Sequence, residues 1–119
     1  MKNSLLLALL LITACSRFDP DTALQDCRVR AQAAAGEYVA NYKVCLMDRH
    51  HASPDLAFYF AGGEAAFRRA ARTDDQEVRR STIEVAKGFF RLARFHGLDS
   101  AWIEGHISID SAAIYNHPR

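Results

Sequence analysis

The chain has 119 residues, half of them hydrophobic, with 15 Lys and Arg against 14 Asp and Glu for a formal net charge of +1. That length is read as one domain. A near-neutral balance excludes the basic footprint that nucleic-acid binding leaves on a domain. The first element is N-terminal. Met1-Lys2-Asn3-Ser4 carries one positive charge, and Leu5 to Ile12 (LLLALLLI) is an unbroken apolar run. Roughly 20 apolar residues are needed to cross a hydrocarbon core. The run is too short for that, and it fits the apolar segment of a secretory signal peptide.

Ile12-Thr13-Ala14-Cys15 follows directly. These four residues resemble the lipobox of bacterial lipoproteins: an aliphatic residue, small residues, then an obligatory Cys. The resemblance covers residues 1–15 only. It implies that residues 1–14 are removed, that the Cys15 thiol carries a diacylglycerol, and that the new N-terminus is acylated. Two or three acyl chains hold a protein durably on a bilayer where one does not. Ser16 stands where an Asp often signals inner-membrane retention in Gram-negative lipoproteins, which favours the outer membrane. Removing residues 1–14 takes away one charge, Lys2. The remaining 105 residues then hold 14 basic and 14 acidic groups. Residues 15–18 form a very short tether, and residues 19–119 form a single domain.

Asp19-Pro20-Asp21 reads as a helix start: a capping Asp, Pro at the first helical position, and an acid near the positive end of the dipole. Leu24, Cys27, Ala31, Ala34 and Ala35 keep helical spacing up to Gly36. Tyr38, Tyr42, Cys45, Leu46 and Arg49 then continue it. His50 to Ser53 is a break, and Ser53-Pro54-Asp55 repeats the start signal before Leu56 to Ala61. Gly62-Gly63 is expected to end or kink that segment, with a helix again over Glu64 to Arg72. Thr73-Asp74-Asp75-Gln76 reads as a capping box. It opens a helix whose apolar stripe is Val78, Thr82, Val85, Ala86, Phe89, Leu92, Ala93 and His96. Gly97 followed by Leu98 is the expected stop. Asp99 can cap a last helix carrying Trp102, Ile103, His106, Ile107 and Ile114, although Ile107 to Asp110 also alternates as a short strand would. The class is all-α, a small bundle of about five helices.

Cys27 and Cys45 remain in the mature chain, and in an oxidising compartment such a pair reads as a disulfide. On one straight helix, 18 residues span about 27 Å, whereas a disulfide needs Cα atoms within about 7 Å. Gly36 lies nine residues from each cysteine, so a helical hairpin turning there would bring them opposite each other. Against the hairpin, Ala33-Ala34-Ala35 is strongly helix-forming and no capping residue stands at 37. Two free thiols or an intermolecular bridge are the alternatives.

The five histidines show no HExxH or regular His/Cys spacing, so no metal site is read. His50 and His51 read as solvated groups at a helix C-terminus, and His96 as the edge of an apolar stripe. No cysteine nucleophile remains, and no serine lies in a GxSxG context. No catalytic residue and no cofactor are assigned. Arg80, Lys87, Arg91 and Arg94 fall on one flank of the capping-box helix, with Glu84 among them. That flank is either a solvated face with internal ion pairs or an acid-binding surface. Phe58, Tyr59 and Phe60 cannot all face the core, so at least one belongs at a surface. The expectation is a non-enzymatic envelope lipoprotein, anchored through Cys15 and facing the periplasm, that acts by binding an envelope protein. It would be an accessory subunit, or an inhibitor of the immunity or exclusion kind. The alternative is a structural lipoprotein touching lipid or peptidoglycan without a specific protein partner.

Overall fold

Residues 17–116 are described in a computed structural model. The signal segment 1–14, the lipidation candidate Cys15 and His117 lie outside them. Five helices follow in order: α1 Pro20–Ala33, α2 Tyr38–His50, α3 Pro54–Arg72, α4 Gln76–Ala93 and α5 Ser100–Asn116. A short 3-10 turn, Arg94–His96, extends α4. Among the described residues there is no strand, so the fold is all-α and the stretch from Ile107 to Asp110 is helical.

Side-chain caps open four of the five helices. Asp19 Oδ1 accepts from the backbone N–H of Asp21 at 3.1 Å, with Pro20 in the first turn. Ser53 Oγ accepts from Leu56 N at 3.2 Å, and Asp99 Oδ2 accepts from Trp102 N at 3.0 Å. Asp75 Oδ1 accepts from Glu77 N and Val78 N, so Asp75 is the N-cap of α4. The expected capping box is therefore corrected. Thr73 caps the C-terminus of α3 instead, and its hydroxyl accepts from Asp75 N. An Asp in the N-cap position satisfies two orphan amides alone, leaving Gln76 no reciprocal role.

The hairpin of α1 and α2 turns at Gly36, whose φ of +103° lies in the left-handed region that glycine enters without steric cost. Glu37 supplies no side-chain cap to α2. Asn41 Nδ2 instead donates to Ala35 O across the turn, at 3.1 Å. Cys27 and Cys45 form the disulfide, with Cα atoms 5.6 Å apart. Tyr42 Oη adds a second tie, donating to Leu24 O at 3.2 Å. The straight-helix alternative is thereby set aside.

Two expectations are corrected by how α3 meets α4. Gly62-Gly63 neither ends nor kinks α3, which is continuous through Arg72. The two glycines form a groove for the rings of Phe89 and Phe90, with α4 close against α3. That close seat sets the rotation of α4. Its buried residues are Arg79, Ile83, Ala86, Phe90 and Ala93, so the core stripe lies one position away from much of the expected one. Val78, Val85 and Leu92 are exposed. The apolar arc of α4 is wider than the core requires, and Ile83 and Phe90 take the inner half of it. At the far end, Gly97 (φ +100°) is the expected stop, with Leu98 buried behind it and its N–H on Ala93 O.

The centre is aromatic. Phe60 stacks on Trp102 and meets Phe90 edge-on, and Phe90 stacks on Phe67. Phe18, counted in the tether from sequence, packs edge-on against Phe60 with ring centroids 5.8 Å apart. Phe60 is fully buried while Phe58 is 52% exposed, so the surface aromatic of that trio is Phe58.

Candidate functional site

The densest polar chemistry in the interior comes from residues spread over four helices. Arg28 on α1, Tyr42 on α2, Glu64 on α3, and His106 and Asp110 on α5 converge at one end of the core. Glu64 directly follows the glycine pair and is 3% exposed. Its Oε1 accepts from Arg28 Nη2 at 2.6 Å and Arg28 Nε at 3.1 Å, with Tyr42 Oη at 3.4 Å. Its Oε2 lies 3.1 Å from His106 Nε2. The same nitrogen lies 3.3 Å from Asp110 Oδ2, and Arg28 reaches Asp110 at 3.6 Å. The His106 ring rests on Trp102, with centroids 4.8 Å apart, and against the edge of Phe90.

The electrostatics follow from that enclosure. Burial pushes the Asp110 carboxyl above its ordinary value, and the nearby Glu64 charge adds to the effect against the opposing pull of His106 and Arg28. Burial likewise raises the Tyr42 phenol, again helped by Glu64. Beside the cluster is a cleft of about 260 Å³, walled by Tyr38, Arg68, Phe67 and Ile114 and floored by Arg28, Glu64 and Asp110. The Arg68 guanidinium lies over the Tyr38 ring, 4.1 Å from its centroid.

Glu64, His106 and Asp110 could each offer a ligand atom to a cation, the three atoms all within 4.8 Å of one another. Arg28 decides against that use. Its guanidinium forks onto one Glu64 oxygen, so a cation would have to enter against a fixed positive charge and displace a charge-assisted pair. The cluster acts as a cross-brace: one buried carboxylate joins α1, α2, α3 and α5. A second group, Asp26, Cys27, Cys45 and His50, also lies close together, but both thiols are consumed in the disulfide. Asp26 there accepts from Arg30 and Arg49 and lies 2.7 Å from His50 Nε2. The hydrogen bonds from Arg49 and Arg30 hold its carboxyl far below the usual carboxylate range. His50, expected to be solvated, is thus a paired group, while His51 is exposed and ends α2 at φ +60°.

The four residues of the basic flank share one side of α4 and are engaged unequally. Arg91 makes a two-pronged contact with Glu104 of α5, at 2.8 and 3.2 Å. Lys87 pairs with Glu84 at 3.1 Å. Arg94 covers the ring of Phe95, 4.9 Å from its centroid. Arg80 lines a cavity of about 320 Å³ with Gln76, Arg79 and Tyr115. Arg79, next to Arg80 in the chain, is by contrast buried, and its Nη2 donates to Thr73 O.

Sequence reasoning missed the Glu64 brace. Its members lie up to 82 positions apart along the chain, and no periodicity links them. The available signal was the spacing of His106 and Asp110, four apart on one helix face beside the apolar Ile103 and Ile107. Comparison with protein-family models, curated proteins and solved structures finds no match for this chain.

Proposed function

We propose that this protein is a lipid-anchored, non-enzymatic lipoprotein of the bacterial cell envelope that works by binding another protein, as an accessory subunit or as an inhibitor of the immunity or exclusion kind. Its anchor is the lipid on Cys15. The lipobox-like Ile12-Thr13-Ala14-Cys15 supports export, and the Cys27–Cys45 bridge fits an oxidising compartment outside the cytosol. The observation that carries the binding role is the second apolar stripe of α4. Val78, Val85 and Leu92 are 37%, 52% and 46% exposed, in register along one side of the helix. Apolar side chains exposed in register along one helix face offer a surface that a protein partner can cover. On the opposite side of the buried stripe runs the basic flank of Arg80, Lys87, Arg91 and Arg94, which would add charge complementarity to an acidic partner.

The test is photo-crosslinking in intact cells, with a photoreactive amino acid at Val78 or Val85 and, as a control, at Ala34 in the hairpin turn. A discrete protein adduct at the two valines and none at Ala34 is the expected result, and its yield should fall when Arg80, Lys87, Arg91 and Arg94 are all changed to Gln. Adducts with lipid or peptidoglycan alone would instead support the structural alternative.

A further inference from the structure

The tether and the ends of the helices constrain how the domain sits on its membrane. Three residues, Ser16 to Phe18, separate Cys15 from Asp19, the cap of α1. An extended chain covers at most about 3.6 Å per residue, so over the four steps from Cys15 to Asp19 the bundle begins within roughly 14 Å of the lipidated residue. Phe18 is held on Phe60, which shortens that reach further. The end of the bundle at which α1 starts is therefore the end beside the bilayer. The up-and-down order of the helices places the C-terminus of α4 and the N-termini of α3 and α5 at that same end. Contacts support the grouping: Trp102 Nε1 donates to Asp21 Oδ1 at 2.8 Å, and His96 stacks on Tyr59 and lies 3.9 Å from Asp55.

This end carries the most exposed aromatic of the described residues. Phe95, in the 3-10 turn after α4, is 69% exposed. Arg94 lies over its ring. Leu92 and Phe58 are also exposed at this end, and Phe58 continues through Phe89 and Tyr59 to His96 in one run of touching rings. The acids here are largely committed: Asp19 and Asp99 cap helices, and Asp21 holds the Trp102 indole. Asp55 faces His96. An apolar tip with an arginine folded over it suits the boundary between headgroups and acyl chains, where the ring enters the apolar layer and the guanidinium stays at phosphate level.

We propose that the Arg94–His96 turn is a second membrane contact, with Phe95 inserted at the lipid interface and Phe58 meeting the same layer. The lipid and the turn together fix the orientation of the bundle and leave Val78, Val85 and Arg80, further from the bilayer, free for a protein. This inference rests on the lipid anchor of the proposed function, and the experiment separates the two.

Full-length protein carrying Phe95→Cys, or Ala34→Cys at the opposite end, is labelled on the new thiol with an environment-sensitive fluorophore. It is then reconstituted into vesicles of phosphatidylethanolamine and phosphatidylglycerol. At position 95 the label should be several-fold less quenched by aqueous iodide than at 34, and strongly quenched by lipids carrying a nitroxide on the acyl chain. Mass spectrometry of the same preparation reads the lipid on Cys15. Iodide access at 95 equal to that at 34, with Cys15 lipidated, overturns the second contact and leaves the anchor standing. An unlipidated Cys15 overturns both.

Discussion

Gly63 on α3 lies directly beneath the ring of Phe90 on α4: a Cβ added there would stand 2.5 Å from Phe90 Cε2. Phe90 is fully buried and held between Phe60 and Phe67, so the ring has nowhere to retreat. Gly63→Ala should destabilise the protein by about 1–3 kcal/mol, the usual cost of overpacking a filled core. Gly88 is the internal control. It lies mid-helix in α4, and a Cβ added there would meet nothing within 4 Å. Gly88→Ala should stabilise by about 0.5–1 kcal/mol through helix propensity. Chemical denaturation of the two variants should move in opposite directions.

The bridge between Cys27 and Cys45 closes a loop with a sequence separation of 18. A cross-link of that span contributes about 3 kcal/mol in the chain-entropy model. The double variant Cys27→Ala, Cys45→Ala should lose about that much, and non-reducing peptide mapping of the native monomer should recover the two cysteines as one linked pair. Free thiols in the purified native protein would contradict the bridge.

Glu64 is buried against two basic partners. Removing it leaves Arg28, half-exposed, and the enclosed His106 with Asp110 as the remaining carboxylate of the cluster. Loss of a buried acceptor costs about 1–3 kcal/mol, so Glu64→Ala should destabilise the protein clearly. Glu77→Ala, on the exposed first turn of α4, should stay within about 0.5 kcal/mol. Equal effects in urea denaturation would remove the cross-brace from the account.

Asp26 gives a pH-dependent prediction of definite sign. Its folded-state value is lowered by Arg49, Arg30 and His50. The stability it contributes is therefore fully present above the unfolded carboxylate value of about 3.9 and is lost as pH falls below that toward the folded value. Asp26→Asn should be less stable than the parent at pH 7. The gap should narrow as pH falls through that acid range. A gap independent of pH would mean that shape, not charge, holds the site.

Much of the fold was legible because helix ends are written locally. Asp19, Ser53 and Asp99 announce their helices with an oxygen placed to accept from the amides that follow, and Gly97 with Leu98 announces a stop. The Cys27–Gly36–Cys45 symmetry set the register of the hairpin, since the reach of a disulfide is short compared with a helix of that length. What stayed hidden depends on contacts between elements. The apolar arc of α4 has room for two stripes, and only the groove at Gly62 and Gly63 selects the one that is buried. A glycine pair reads locally as a break and acts here as a socket. Glu64 marked only the start of a helical stretch, because Arg28, Tyr42 and His106 meet it only after four helices have packed.

The proposed anchor is the lipid on Cys15, and mass spectrometry of the mature N-terminus tests it most directly. Protein purified from cells fed labelled palmitate should begin at Cys15, carry the label and lack residues 1–14, and Cys15→Ser should abolish both the label and the processing. A mature protein that begins elsewhere, or that incorporates the label equally in the Cys15→Ser variant, would contradict the account.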